Sequence, residues 1–293
     1  MAEEAGSFSD DRLSAARAFA QTMIVVDDEA GIGINQSDDA PGPEGAITPG
    51  RVDAKRATAA PERPGKKRIS HPLDQKTLVD NAAELGLVCA VVTPRKGEGV
   101  AKKVANAAER ADIVSLDWQM NDDGETAQSI IKEIIRRDAK KGGRLRLISI
   151  YTGVNDRDRI FRHILKVIPK TTKSSHRIRR HGDQIISDNG LRIVWLFKGA
   201  GTQLQGELSN FQVSEGKLPA RLQKEFSELS DGLLSNVALA TIAAVRDSTH
   251  HTLSKFAGEM DGPYFHHRAF LPVPHDAEDY AVSIVLSELK SAV

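Results

Sequence analysis

The chain has 293 residues, and its 40 basic and 40 acidic side chains give a formal net charge of zero. This balance excludes a global field that selects nucleic acid or an anionic membrane, although a local basic patch could still form. Cys89 is the single cysteine, which excludes an internal disulfide and a thiolate metal cluster. The length is sufficient for two domains with ordinary cores.

The first residues and the lack of long apolar runs predict a soluble protein. The stretch MAEEAGSFSDD is acidic and lacks the apolar segment of a secretory signal. No run approaches the ~18 consecutive apolar residues of a membrane span. We therefore expect a cytoplasmic location.

Short apolar runs alternate with amphipathic patterns from residue 9 to residue 197. The runs predict strands at 23–26, 87–92, 112–117, 145–152 and 191–197. The amphipathic patterns predict helices at 9–22, 73–85, 99–110, 125–138 and 156–168. Short continuous apolar runs separated by helices are typical of βαβ units, so the sequence predicts an α/β fold with a parallel sheet wrapped by helices.

Two segments interrupt this alternation. Residues 31–71 are rich in Gly, Pro, Ala and charge and have no usable periodicity, which predicts a long mobile insertion after the first strand. Residues 169–190 delay the fifth strand. Within them Asp188-Asn189-Gly190 is a tight-turn sequence between two apolar runs, which favours a β-hairpin.

The character of the sequence changes after residue 204. Helical patterns occur at 218–230, 233–245 and 275–290, and no strand pattern is visible there. We therefore expect an amino-terminal helical extension over 1–20, a sheet domain over 21–204 and a helical region over 205–293. His266 and His267 follow a Gly-Pro pair and are interpreted as loop residues.

Polar residues follow the predicted strands at the points where those strands end. They are Asp27 and Asp28, Asp117, Thr152 and Lys198. Ligands of open parallel sheets gather beyond the carboxyl ends of the strands, so these side chains should converge in one crevice. Carboxylates this close repel each other unless a cation or the lysine neutralises them, and Mg²⁺ suits such oxygen ligands. With a metal present, Asp117 could act as a nucleophile toward a phosphoryl group.

Four motifs in order then resemble the receiver domain of two-component response regulators. They are MIVVDDEA, DIVSLDWQMNDDG, LISIYTG and VWLFKGA, and each lies at the end of a predicted strand. The resemblance covers roughly residues 20–200. It implies a flavodoxin-like fold with a doubly wound, five-stranded parallel sheet, which here carries insertions at about 31–71 and 169–190.

The resemblance also implies a role for each residue that matches a motif. Asp117 corresponds to the aspartate that accepts the phosphoryl group. Asp27 and Asp28 correspond, together with Asp117, to the carboxylates that position Mg²⁺, and Gln119 to the position whose backbone carbonyl completes the metal site.

Three further positions match the switch machinery of the family. Thr152 corresponds to the hydroxyl that contacts the phosphoryl group, and Lys198 to the lysine that pairs with it. Trp195 occupies the place of the switch aromatic. In physical terms, the resemblance implies that a new dianion biases an element with two stable arrangements.

The implied partners are a histidine kinase or phosphotransfer protein and a downstream protein effector. Nucleic acid is disfavoured because the basic stretch 166–180 lacks interleaved aromatic residues and a reading helix. A homodimer is compatible with the resemblance, which leaves the oligomeric state open.

Two alternatives from other classes stay open at this point. One is a pseudo-receiver that binds a partner without ever being phosphorylated. The other is an aspartate-nucleophile phosphohydrolase, although such enzymes usually carry a DxD motif and Asp117 is followed by Trp118 and Gln119. In the leading interpretation the protein is not an enzyme, apart from the Mg²⁺-dependent gain and loss of its own phosphoryl group.

Overall fold

The computed structural model describes residues 8–31, 73–94, 99–120, 124–199, 204–230, 232–256 and 258–291. Except for Gly31, the predicted insertion at 31–71 lies outside these residues. The helices are α1 (Phe8–Phe19), α2 (Gln75–Glu84), α3 (Val100–Ala108), α4 (Glu125–Lys140), α5 (Arg157–Val167), α6 (Lys170–Ser175), α7 (Leu218–Ser227), α8 (Leu233–Ser254), α9 (Asp261–Phe270) and α10 (Asp276–Ser291). The strands are β1 (Thr22–Val26), β2 (Val88–Val92), β3 (Ile113–Leu116), β4 (Arg146–Thr152), β5 (Arg179–His181), β6 (Gln184–Ile186), β7 (Leu191–Lys198) and β8 (Gln212–Val213).

The strands form a single sheet with the order β2-β1-β3-β4-β7-β6-β5. The first five of these are parallel, which confirms the predicted five-stranded parallel sheet. Strand β6 runs antiparallel to β7, and β5 runs antiparallel to β6. The predicted insertion at 169–190 therefore forms α6 and extends the sheet at one edge.

The predicted hairpin joins β6 to β7 through the turn at 187–190. Gln184 lies opposite Val194 in an antiparallel register. Gly190 closes the turn with a φ of 83°, and a Cβ atom there would lie 3.1 Å from the Cα atom of Leu145. Glycine meets both the backbone conformation and the lack of space at this point.

Two expectations for the carboxy-terminal part were wrong. Residues Gln212–Val213 form β8, although no strand was predicted after residue 204; two residues carry no periodicity, and the strand exists because it pairs with the end of β7. His266 and His267 lie in α9, not in a loop. The preceding Pro263 does not break this helix because it sits in the first turn, where its missing N–H has no helical partner.

Helices cover both faces of the sheet, as expected for a doubly wound fold. On one face, α3, α4 and α5 pack on the strands through a cluster that includes Val104, Ile131 and Phe161. On the other face, α1, α2 and α7 pack through a second cluster, to which α2 contributes Leu78 and α7 Phe226. Both layers are dominated by aliphatic side chains, whose burial stabilises the fold.

Helix α7 completes the second layer although it lies beyond residue 204. Leu218, Leu222 and Phe226 are fully buried. Phe226 stacks on Phe19 of α1 with ring centroids 5.9 Å apart. The core beneath the sheet therefore draws on residues from both sides of position 204.

Helix α8 packs on α1, and its Leu239 is part of the second cluster. Arg246 of α8 pairs with the buried Asp112 at 3.3 Å and lies over the ring of Phe19. The exposed large apolar side chains of α8 are Leu233, Leu234, Val237, Ile242 and Leu253. No helix in the described part of the chain has the length and apolar character needed to cross a bilayer.

The position of Phe226 predicts that α7 unfolds together with the sheet. Replacing this buried ring in Phe226→Ala should lower the free energy of unfolding by about 3–5 kcal/mol, because it opens a cavity in the second layer. The control is Phe265→Ala in α9, where the ring is 60% exposed, and it should cost less than about 1 kcal/mol. Urea denaturation followed by circular dichroism measures both. If Phe226→Ala and the wild type unfolded at the same urea concentration, α7 would not be part of the cooperative unit.

Candidate functional site

The site lies where the chain reverses its direction of progress across the sheet. Strand β1 is followed by β2 on one side, whereas β3 lies on its other side. Asp27 and Asp117 directly follow β1 and β3, and the Asp117 backbone N–H donates to the carbonyl of Val26 at 2.9 Å. This register brings the two carboxylates to the same level at the switch point, the usual ligand site in open α/β sheets.

Lys198 at the end of β7 bridges these two carboxylates. Its Nζ lies 2.6 Å from Oδ2 of Asp27 and 3.0 Å from Oδ2 of Asp117. Exposed fractions of 3%, 1% and 8% for the lysine and the two aspartates show that the bridge is shielded from water. Charges in such an environment interact strongly, so the three side chains act as one electrostatic unit.

The titration of this unit follows from its burial and its charge. Burial raises the pKa of Asp27, and the nearby Asp117 carboxylate raises it further against the opposing effect of Lys198. Burial by itself would lower the pKa of Lys198, but the charges of Asp117 and Asp27 outweigh it and the net direction is upward. The ammonium therefore stays charged, and one positive charge serves two acids.

A third carboxylate, that of Asp28, joins the same cluster. Oxygen atoms from Asp27, Asp28 and Asp117 all lie within 4.8 Å of one another. Backbone N–H groups orient two of them: Glu29 donates to Oδ1 of Asp27 at 2.8 Å, and Gln119 donates to Oδ1 of Asp117 at 3.2 Å. Clustered hard oxygen ligands suit Mg²⁺, which is satisfied by a few carboxylates and water. The residues present thus fit the predicted metal.

Thr152 and Trp195 meet at the turn after β4. The hydroxyl of the fully buried Thr152 accepts a hydrogen bond from the backbone N–H of Val154 at 3.3 Å. The indole N–H of Trp195, also fully buried, donates to the carbonyl of Val154 at 3.2 Å. The two predicted switch residues are therefore joined through the backbone of one loop residue.

The neighbour of Asp117 depends on a glycine for its position. Trp118 is 3% exposed and lies against Gly124, where an added Cβ would come within 2.3 Å of the indole ring. Gly124 also has a φ of 92°, a conformation that disfavours other residues. The indole and the glycine backbone thus pack against each other next to Asp117 in the chain.

Glu215 and Tyr151 are two residues near the site that sequence reasoning missed. Glu215 Oε2 accepts a hydrogen bond from the backbone N–H of Asp74 at 3.0 Å, and burial raises the pKa of this glutamate. The Tyr151 ring centroid lies 5.6 Å from Nζ of Lys198. Glu215 follows no predicted strand and Tyr151 lies within the predicted strand 145–152, so neither carries a sequence signal.

Three of the six lysines and arginines in the predicted basic stretch 166–180 pair with neighbouring acids. Arg177 and Arg179 share Asp188, at 3.0 and 2.8 Å, and Arg180 pairs with Asp158. This pairing lowers the positive charge that the three arginines offer to a phosphate backbone.

Comparison with known proteins identified one family. A family model described as a response receiver domain matches residues 19–203, well over half of the chain. The match contains all five parallel strands and the acidic cluster with Lys198, and it ends before β8 and α7. No curated protein and no solved structure gave a match.

The bridge predicts that a bound divalent cation can replace the positive charge of Lys198. Replacing the buried ammonium in Lys198→Met should destabilise the metal-free protein by about 3 kcal/mol, because two buried carboxylates lose their counterion. Added Mg²⁺ should restore more stability to this variant than to the wild type, since the cation supplies the missing charge. Urea denaturation with and without Mg²⁺ measures both effects. The control Lys255→Met breaks the exposed pair with Glu288 and should show neither; a Lys198 variant insensitive to Mg²⁺ would contradict the metal site.

Proposed function

Because the chain belongs to the response receiver domain family, and so to two-component signalling, we propose that Asp117 accepts a phosphoryl group from a partner histidine kinase or phosphotransfer protein. The observation that carries this proposal is the buried bridge from Lys198 to Asp27 and Asp117, beside the Asp28 carboxylate. These groups supply a nucleophile, a metal-binding pair and a fixed positive charge at the switch point of the sheet.

The proposed chemistry follows from these groups. An oxygen of Asp117 attacks phosphorus, an O–P bond forms, and the bond to the donor breaks with its electron pair leaving on the donor. Mg²⁺, held by Asp27, Asp28, Asp117 and the carbonyl of Gln119, would neutralise charge on the transferring group. Lys198 stabilises the negative oxygens, and the buried shell excludes water. The gain and loss of the group on Asp117 is the only reaction proposed for the chain.

The proposed output is a change in protein binding. When the phosphoryl group draws the Thr152 hydroxyl toward it, the bond from Val154 to that hydroxyl is lost, and the bond from Trp195 to the same loop residue is put under strain. The turn after β4 would then rearrange together with the surface formed by α5, α6 and the β5–β6 hairpin. Exposed apolar side chains on α8 support a protein as the downstream effector.

Two rival functions differ from this proposal in measurable ways. A pseudo-receiver would use the same surfaces for binding but would never be phosphorylated. An aspartate-nucleophile phosphohydrolase would release phosphate from many substrates. Against the first stands the complete set of reactive side chains, and against the second stands the lack of a DxD motif, since Trp118 and Gln119 follow Asp117.

The proposal predicts a single phosphoryl adduct on Asp117. The wild type is incubated with Mg²⁺ and acetyl phosphate, and the mass of the intact protein is followed over time. One added phosphoryl group should appear in the wild type and be absent from Asp117→Asn, because the amide cannot act as the nucleophile. The control Asp80→Asn, at an exposed carboxylate of α2, should behave as the wild type does.

The same mass measurement, together with an assay of phosphate release, separates the three functions. An adduct that depends on Asp117 and on Mg²⁺ supports the receiver. Continued release of phosphate from several phosphomonoesters, without an accumulated adduct, would favour the hydrolase. No adduct with acetyl phosphate, phosphoramidate or a phosphorylated histidine donor would favour the binding module.

A further inference from the structure

The chain returns to the site after it has left the region matched by the receiver family. Residues 204–217, here called the strap, run from Leu204 through β8 to a short 3₁₀ helix at Glu215–Lys217. In β8, Val213 pairs with Lys198, the residue that bridges the two carboxylates. The family match ends at residue 203, so the whole strap lies outside it.

Tyr151 connects the strap to Lys198. Its hydroxyl donates to the carbonyl of Val213 at 3.0 Å, and its ring lies 5.6 Å from the ammonium nitrogen. Tyr151 is 2% exposed, and burial raises its pKa far above the usual value, so the hydroxyl remains a donor. The ring facing Lys198 packs within the second cluster, and its hydroxyl joins it to the strap.

Glu215 connects the strap to residues 29–31, which follow the acidic pair, through the backbone of residues 73–75. Its carboxylate accepts the backbone N–H of Asp74 at 3.0 Å. On either side of that N–H, Gly31 donates to the carbonyl of Leu73, and Gln75 donates to the carbonyl of Gly31, both at 3.1 Å. Gly31 lies three positions after Asp28, so Glu215 anchors the backbone just beyond the metal-binding pair.

We propose that the strap is part of the phosphoryl site, with Tyr151 positioning Lys198 and Glu215 positioning the loop after Asp28. This inference rests on the proposed function of Asp117. Neither residue touches the reacting atoms, and each acts through another. Lysine has a flexible four-carbon stem, and a charge displaced by an ångström stabilises a transition state far less effectively.

Substitutions of Tyr151 and Glu215 are expected to lower two different quantities, the rate of phosphorylation and the affinity for Mg²⁺. Tyr151→Phe keeps the ring and removes the hydroxyl, so phosphorylation at saturating Mg²⁺ should slow about tenfold while the affinity for Mg²⁺ stays within about twofold. Glu215→Ala removes the acceptor for Asp74 and should weaken Mg²⁺ binding about fivefold. Glu215→Gln retains an acceptor oxygen at the same place and should restore the affinity to within about twofold of the wild type.

The experiment uses the full chain and three readouts. Intrinsic tryptophan fluorescence reports Mg²⁺ binding, the mass of the intact protein reports the rate of phosphorylation by acetyl phosphate, and urea denaturation verifies folding. The matched controls are Tyr280→Phe on α10 and Glu84→Ala at the exposed end of α2, and both should match the wild type in every readout. A general loss of structure would lower the Mg²⁺ affinity, the phosphorylation rate and the stability to urea together, and Glu215→Gln would not restore them.

The results decide both levels of the proposal. An unchanged rate in Tyr151→Phe, an unchanged Mg²⁺ affinity in Glu215→Ala, or a failure of Glu215→Gln to restore that affinity would each overturn the positioning role. If the wild type binds Mg²⁺ but gains no phosphoryl group, the proposed function fails, and the Mg²⁺ affinities of the Glu215 variants still decide the strap. A wild type that binds no Mg²⁺ overturns both.

Discussion

The structure depends on one buried ammonium that lies between two carboxylates from different strands. The pairings of β1, β3, β4 and β7 place Val26, Leu116 and Trp195 at one level, and Lys198, three residues beyond Trp195, reaches Asp27 at 2.6 Å and Asp117 at 3.0 Å. A slip in any of these registers would leave a charge buried without a partner, which is far more costly than losing an exposed ion pair. The bridge also leaves the three-carboxylate cluster short of positive charge, a condition that favours a bound cation.

The receiver region and the residues after it contribute to both hydrophobic clusters of the sheet. Helix α7 buries Phe226 on the sheet, and the strap places Phe211 against Trp195 with ring centroids 6.0 Å apart. Arg157 of α5 lies over the same Phe211 ring at 5.3 Å. A rearrangement at the turn after β4 would therefore displace the strap, which leads into α7 and α8, because close-packed side chains transmit displacement.

Much of the fold could be predicted because its signals are local. The five parallel strands are apolar runs of four to eight residues, and the Asp188-Asn189-Gly190 turn marks the β6–β7 hairpin. What failed had no local signal. Strand β8 is two residues long and forms only against β7, and the Gly-Pro pair before His266 proved to be a helix start. The role of Asp117 remains a prediction that the phosphorylation experiment tests, and the switch roles of Thr152 and Trp195 also remain predictions.

The sequence by itself determined the order of the five long parallel strands and of the helices between them, and the polar residues at the strand ends, since both follow from patterns within a short window. Only the tertiary structure decided which of those residues touch. That Lys198 joins Asp27 to Asp117, that Trp195 holds Val154, and that Tyr151 and Glu215 anchor the strap depends on strand register and side-chain direction. These contacts link residues far apart in the chain, and no short window of sequence contains both partners.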